Sequence, residues 1–366
     1  MKPREIALRR LAAQHLVEPF AGGAADVVRS LGAVQAQDYG AAKWAIGQRT
    51  ATLTDAAVEQ AFDDGELIRT HILRPTWHFV APEDLRWMLA LTGPRVHAAN
   101  ASTYRELELE PRVLGRSHAA LVKALRGGKS MTRAELTSVL GRAGIGAMTL
   151  RRATFLVMAA ELDGVVCSGP RRGRQFTYSL VEERVAPSRG TPGSRDDALR
   201  SLALRYFPSR GPATAHDFAW WSGLTVGDAR HGAHAAEPEL TRRAIDGRDH
   251  WESLAPPGGG KGRAHLLPSY DEYFIGFRDR TAMMADRVPP PRAGTNDRMF
   301  LNLVTIGGQI AGVWRRATTR RGVTVTVEPL RPLTRAERRA ISLAAERYGA
   351  FMELPLTLET LAEGGR

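Results

Sequence analysis

Thr214-Ala215-His216-Asp217-Phe218-Ala219-Trp220-Trp221-Ser222-Gly223-Leu224-Thr225-Val226-Gly227-Asp228-Ala229-Arg230-His231-Gly232 is the stretch that decides the fold. Phe218 and Ala219 precede the turn residues Ser222-Gly223-Leu224-Thr225, and the order helix, short turn, helix is that of a helix-turn-helix. Behind it, Leu240 to Ile245, a turn at Asp246-Gly247-Arg248, and His250 to Leu254 read as the hairpin that makes a helix-turn-helix a winged helix.

The same architectural order occurs twice upstream, without identical residues. In the first unit Ile6, Leu8, Leu11 and Leu16 fall near helical spacing, a second helix is predicted over Val27 to Val34, and a third over Ala56 to Phe62. Its wing is predicted over Leu67 to Leu73 and Thr76 to Val80, turning at Arg74-Pro75. The second unit opens at Pro82-Glu83-Asp84, a good helix start. Helices follow over Ser117 to Leu125, from the capping-type phrase Ser130 to Glu135, and over Leu150 to Leu162. Gly164 to Ser168, the basic turn Gly169-Pro170-Arg171-Arg172-Gly173-Arg174, and Gln175 to Leu180 form its wing. Pro187 to Ser194 and Pro256 to Gly262 read as linkers. Beyond the second, Met299 to Val304, Gln309 to Arg315 and Val323 to Pro329 read as strands, and Arg335 to Phe351 as a helix. The division is therefore 1–81, 82–190 and 191–256 for three winged helices, and 257–366 for a small β-rich domain.

Bulk properties narrow the function. With 366 residues and 43% apolar content the chain builds a real core. No apolar run approaches the roughly 18 residues of a membrane span, and Met1 to Glu5 leads into a charged amphipathic pattern, so the expected location is the cytoplasm, at the nucleoid. The single cysteine, Cys167, excludes a disulfide framework and a cysteine zinc site, and is expected as a buried thiol on a strand. A net charge of +12 points to a polyanionic partner. Because a genome rich in G and C inflates arginine, location says more than the total: residues 112–200 carry sixteen Lys and Arg against seven Asp and Glu. That stretch is expected to face phosphates.

Familiar chemistries are missing. Gly258 to Gly262 carries a lysine, but Gly262 and Arg263 follow where a phosphate loop needs Ser or Thr and a helix, so the run reads as a linker. His231 and His234 lack further ligands at metal spacing, and no Ser-His-Asp set stands out. The unusual feature is Val34-Gln35-Ala36-Gln37-Asp38-Tyr39, two amides around a small apolar residue. By itself it also reads as solvated punctuation after a helix.

With Leu73-Arg74-Pro75-Thr76-Trp77-His78-Phe79-Val80 and the segment Leu266 to Arg280, which contains Pro268-Ser269-Tyr270-Asp271-Glu272-Tyr273, this motif makes the chain resemble the bacterial AlkZ-like winged-helix DNA glycosylases, in their Gln-x-Gln form. The resemblance implies an α+β fold in which three tandem winged helices form a concave channel and a small β-barrel-like domain follows. It implies excision of cationic alkylated bases, N7-alkylguanine and N3-alkyladenine, with bulky natural-product adducts as a further class and self-resistance of antibiotic producers as one known use. Gln35 and Gln37 become the catalytic candidates. Arg74, Thr76 and His78 of the first wing, and Tyr270, Asp271, Arg278 and Arg280, are DNA-contact candidates beside the basic tip Arg171, Arg172 and Arg174. No metal or cofactor is implied. The partner is double-stranded DNA, bound by a monomer, and the dispersed aromatics favour access through the channel without a deep flipping pocket. The alternatives are a non-enzymatic winged-helix regulator, or an architectural or RNA-binding protein using the basic wing.

Overall fold

A computed structural model describes residues 1–187, 190–255, 259–284 and 301–361. The first winged helix contains α1 (Pro3–Ala13), α2 (Ala24–Leu31), β1 (Val34–Gln35), α3 (Tyr39–Gly47), α4 (Asp55–Asp63), β2 (Ile68–His71) and β3 (Trp77–Val80). The helix expected through Val34 stops three residues earlier. Gly32 takes φ +74°, its backbone lies against Arg205, and the chain leaves it extended, so Val34 and Gln35 pair with β3 instead. Helix α3 was not legible as a helix, because Ala41 through Gly47 are all buried and no polar stripe marks a face. Asp38 caps it by accepting from the Ala41 N–H at 3.0 Å.

The second unit follows the expected order: α5 (Pro82–Ala99), α6 (Ala101–Glu106), α7 (Pro111–Leu125), β4 (Met131–Thr132), α8 (Arg133–Arg142), α9 (Leu150–Leu162), β5 (Val166–Ser168), β6 (Thr177–Leu180) and α10 (Val181–Arg184). Thr132 and Glu135 form a reciprocal capping box at the start of α8. Cys167 lies buried on β5, where burial pushes its thiol up to about 12.

In the third unit α11 (Arg195–Arg210) leads into α12 (Ala215–Ser222), α13 (Val226–Ala235) and the hairpin β7 (Leu240–Ile245) and β8 (Arg248–Ser253). The sequence reading did not place α11, whose buried side includes Ser209 and Arg210 beside Leu202 and Phe207 and so blurs the amphipathic pattern. The wing closes over Asp246-Gly247 with φ +49° and +73°, the paired left-handed conformation of a two-residue hairpin turn. Gly223 ends α12 with φ +71°, and a Cβ there would stand 2.2 Å from the Leu73 carbonyl oxygen. The turn of the third helix-turn-helix is thereby pressed onto the first wing.

The C-terminal part contains β9 (Ala264–Leu267), α14 (Glu272–Ile275), β10 (Leu303–Ile306), β11 (Gln309–Thr318), β12 (Val323–Pro329), α15 (Arg335–Met352) and β13 (Leu356–Thr360). The strands form one sheet in the order β13-β12-β11-β10-β9, with β12 and β13 parallel. Met299 and Phe300 of the first expected strand lie outside the described residues, as do Ser188, Arg189 and residues 256–258 of the two linkers. The glycine run after Gly258 leads into β9, a strand, as its linker reading requires. This part docks on α3, where Trp44 packs edge-on to Tyr348 and donates its indole N–H to the Leu266 carbonyl at 2.7 Å. Gly47 leaves space for the Phe351 ring. Among the described residues no helix is long and apolar enough to cross a membrane.

Replacing Gly223 by Ala adds a backbone clash to an unfavourable left-handed conformation, whereas Gly173, at φ +60° in the second wing, has open space around it. Gly173→Ala is expected to cost about 1 kcal/mol and Gly223→Ala at least about 2 kcal/mol. Equal thermal midpoints for the two variants would show that the wing and the turn yield to each other freely.

Candidate active site

Strand β1 is the edge of a three-stranded sheet ordered β1-β3-β2, in which Gln35 lies opposite His78 and His78 opposite Thr70. The Ala36 N–H donates to the Trp77 carbonyl at 2.7 Å, which makes Ala36 and Trp77 a hydrogen-bonded pair. Gln35 and His78, one step along, are therefore a non-bonded pair, the kind whose Cα atoms approach to about 4.5 Å and whose side chains come closest.

This row carries an uncommon load of polar atoms without partners. Gln35 Oε1, His78 Nε2 and Thr70 Oγ1 are enclosed and accept or donate nothing, as are Thr76 Oγ1 and both Nε and Nη2 of Arg74 in the preceding loop. Buried polar atoms are nearly always paired in folded proteins, so six unpaired within the protein along one short stretch of sheet and loop mark a candidate site. The His78 ring is neutral, since burial and then the Arg74 charge hold its pKa well below the usual value. Its Nδ1 lies 2.9 Å from the Thr76 carbonyl, which only accepts, so Nδ1 carries the hydrogen and Nε2 presents a bare lone pair.

The outer end of the site is wet. Gln37 and Asp38 are exposed, and Tyr270 stands near Asp38, whose charge together with partial burial raises the phenol pKa. Arg316, on β11, reaches the same rim, with its Nη2 3.3 Å from where a Cβ of Gly40 would be. Leu73 and Tyr270 flank the site with φ of +64° and +60°, a conformation that costs non-glycine residues about 1–3 kcal/mol and concentrates at functional sites.

A buried acidic dipeptide fixes this geometry. The Gln35 N–H points off the sheet edge and donates to Glu272 Oε1 at 2.9 Å. Glu272 Oε2 accepts from Arg210 Nη2 at 2.6 Å and Trp221 Nε1 at 3.0 Å. Next to it Asp271 takes both terminal nitrogens of Arg49, at 2.9 and 2.8 Å, while Arg49 also donates to Gln14. Both ion pairs are fully buried. Asp271, expected at the DNA, is thus occupied inside the protein as a clamp between α14 and α3. Glu272, Arg210 and Thr70 are the residues the sequence reading missed. The only sequence sign of Thr70 is a polar residue at a core-facing position of Ile68-Arg69-Thr70-His71.

The basic wing tip is divided. The Arg171 N–H donates to Asp63, its guanidinium pairs with Glu59, and it stacks on Tyr39 and Phe176. Arg172 pairs with Glu135 at the surface. Arg174 is exposed and has no partner among the described residues. Arg280 donates to the Phe274 carbonyl and lies over the Phe274 and Trp220 rings. Arg278 is exposed, and with Arg230 and Arg248 it lines a cavity of about 880 Å³ between the third unit and the C-terminal part. His231 and His234 face separate carboxylates, Asp196 and Glu237. Among the described residues no three His, Cys, Asp or Glu side chains gather as a metal site.

Residues 28–351 match the family described as DNA glycosylase AlkZ-like. This chain belongs to the AlkZ-like DNA glycosylases. It is 25% identical over 326 residues to the "Interstrand DNA cross-link repair glycosylase" of Streptomyces sahachiroi, covering 85% of this chain and 87% of that protein. The solved Streptomyces sahachiroi DNA glycosylase AlkZ shares the fold, with a TM-score of 0.77, 22% identity and coverage of 99% and 100% of the two chains. The glycosylase fold was therefore legible from three short segments of sequence, although few residues are shared overall.

Removing one partner of a buried pair strands the other charge, at a cost of about 3–5 kcal/mol. Glu272→Ala and Asp271→Ala are each expected to lower unfolding free energy by that amount, insensitive to salt because the pairs are out of reach of counterions. A loss below about 1 kcal/mol in chemical denaturation would mean the dipeptide does not hold β1.

Proposed function

We propose that this glycosylase hydrolyses the N-glycosidic bond of cationic alkylated purines in duplex DNA, as a monomer, with Gln35 and Gln37 positioning the attacking water. The observation that carries this reading is the enclosed, unpartnered carboxamide oxygen of Gln35 in a buried polar row, two residues from the exposed Gln37. Alkylation at guanine N7 or adenine N3 puts a positive charge on the base, so the bond to C1′ is already weakened and the base departs neutral. No general acid is then needed. What remains is to align a water on C1′ and to stabilise an oxocarbenium-like sugar, and amide oxygens do both by accepting from the water and turning a negative dipole end to the cation. An amide is too weak a base to take the proton, so the water loses it late, to solvent at the wet rim. The row fits that division of labour: the His78 ring is neutral, and Glu272, which accepts from the Gln35 backbone N–H, is fully engaged with Arg210 and Trp221 as well.

A purine joined through N7 to the opposite strand carries the same cationic leaving group as a methylated one. The name of the Streptomyces relative supports extending the substrate range to such cross-links and to bulky adducts. Phosphates are met by Arg174 at the free wing tip. Tyr270, Arg278 and Arg280 extend the contact surface towards the third unit.

Gln35→Ala and Gln37→Ala are each expected to slow single-turnover release of N7-methylguanine by about ten- to a thousandfold with DNA affinity nearly unchanged. The wild-type rate should be unaffected by EDTA and flat from pH 6 to 8, because neither amide titrates and His78 stays neutral. Full activity in both variants would sink the assignment.

The wing arginines separate cleanly. Arg174→Ala is expected to reduce the slope of log Kd against log salt by about 0.9, one phosphate contact, whereas Arg171→Ala should leave the slope unchanged. The reverse result would place Arg171 at the DNA and Arg174 away from it.

A further inference from the structure

The cavity of about 880 Å³ beside the third winged helix has no part in the glycosylase chemistry. Its walls come from three places: Arg230 and His234, one turn apart on α13; Arg248 and Asp249 at the wing; and the segment Arg278 to Met284. That segment is fixed in place. Asp217, buried near the start of α12, accepts the backbone N–H groups of Arg278 and Asp279 at 2.9 Å each, and Arg280 lies over the Trp220 ring. A recognition helix that reads sequence enters a major groove about 12 Å wide and needs an open front. Here α13 and the wing share their concavity with a third wall.

The electrostatics of the cavity are one-sided. Arg230, Arg248 and Arg278 are exposed at its walls, and the guanidinium groups of Arg230 and Arg278 have no partner among the described residues. Each carboxylate is already engaged. Asp217 also accepts from the Thr214 N–H and hydroxyl, Asp249 pairs with Arg242 at 2.9 Å, and Asp279 accepts from Thr281 and lies 3.5 Å from Arg248. On the floor, the Trp251 indole N–H is given to Glu237, and Phe274 lies under Arg280. Among the described residues, none of the enclosed polar atoms left without a partner belongs to this lining. The cavity thus offers a ligand cationic donors and an apolar floor, with no buried polar group to tell one base from another. That is the chemistry of a phosphate contact, not of base readout.

We infer that this cavity is a second DNA contact, in which Arg230, Arg248 and Arg278 hold the sugar-phosphate backbone of one strand several base pairs from the lesion, whatever the sequence. The inference extends the contact surface proposed above to α13 and the third wing, and it rests on DNA binding, not on the roles of Gln35 and Gln37. The spacing follows from α12. That helix starts at the cavity, with Thr214 to Asp217, and ends at Gly223, pressed on Leu73 at the flank of the candidate active site. Its eight residues span about 12 Å. Successive phosphates of one strand advance about 3.4 Å along the axis, so on a duplex running from one place to the other the contacted phosphates lie about four or more base pairs from the lesion, on one side of it. Phosphate contacts fix register and orientation, and one at this distance sets which way the duplex lies in the protein.

The test is the affinity of the full chain for duplexes carrying N7-methylguanine on a 2′-fluorinated sugar, with flanking arms of about three or about ten base pairs. On the duplex with two long arms, Arg230→Ala combined with Arg248→Ala is expected to raise Kd at least about fivefold at about 0.15 M salt and to lower the slope of log Kd against log salt by about 1.8, two phosphate contacts. Arg230→Lys with Arg248→Lys keeps the charges and should restore at least about half of that slope. Cutting one particular arm to the short length should bring wild type and the Ala variant within about twofold of each other, whereas cutting the other arm should leave the difference intact. Equal loss on short and long duplexes, or no loss on either, overturns the inference. So does a sequence preference in the long arm that the Ala variant loses, which would mean base readout. Binding of ATP by the wild type, lost in the Ala variant while duplex affinity stays the same, would give the cavity to a free nucleotide and overturn it as well. Both arginines are exposed, so the variants should keep the wild-type thermal midpoint. Should Arg248→Ala loosen the wing through Asp279, Arg230→Ala alone decides, with an expected slope loss of about 0.9. Because only affinity is read, no outcome depends on which residues carry the chemistry.

Discussion

Everything at the candidate site hangs from two adjacent carboxylates, Asp271 and Glu272, buried with the guanidinium groups of Arg49 and Arg210. Burying four charges is expensive, and apolar replacements of the same shape are often no less stable, so stability alone does not account for the arrangement. What the pairs supply is direction. Each carboxylate accepts from several fixed donors, and those donors come from the segment just after α3, from α11, α12 and the edge of β1. A two-residue strand has almost no pairing energy of its own, yet β1 is held on one side by β3 and on the other by Glu272, so its register cannot slip without breaking a charged hydrogen bond. The position of Gln35 is thus set by the C-terminal part of the chain, 237 residues away.

The same constraint explains why the first and third winged helices cannot be treated as separate modules. The Gly223 turn lies against Leu73, Trp221 donates to Glu272, and Arg210 donates to the Leu31 carbonyl of the first unit. The second unit is joined differently, by alternating guanidinium and aromatic planes: Arg171 on Phe176, Arg69 between Phe176 and Trp77, and Arg133 over Trp77. Part of the positive charge counted in residues 112–200 is therefore engaged within the protein, on aromatic faces and on Glu59, or paired with Glu135 at the surface. Net charge in a stretch of sequence measures potential DNA contact only after these internal partners are subtracted.

Sequence legibility followed the physics of each element. Hairpins with turn signals, such as Asp246-Gly247, and helices with capping phrases, such as Thr132 to Glu135, were readable because their signals are local. Helix α3 and strand β13 were not: the first is buried all round, and the second exists by parallel pairing with β12, a long-range event with no local sign. Gln35 and Gln37 stood out as a motif, but the Gln35 surroundings were invisible, since the facing of His78 and Thr70 depends on register and the anchoring on Glu272 depends on tertiary contact. Asp271 was misassigned for the same reason. A charged residue in a polar segment reads as exposed, and only its partner Arg49, far away in the chain, reveals that it is buried.

The central claim is that the sugar under attack meets the end of β1. The most direct measurement is a crystal structure of the protein with a duplex containing N7-methylguanine on a 2′-fluorinated sugar, which resists hydrolysis. The account predicts C1′ of the lesion facing Gln35 and Gln37, with a water between, hydrogen-bonded to both amide oxygens at about 2.7–3.2 Å. A lesion seated instead in the cavity beside Arg230, Arg248 and Arg278, with Gln35 still enclosed and remote from the sugar, would contradict it.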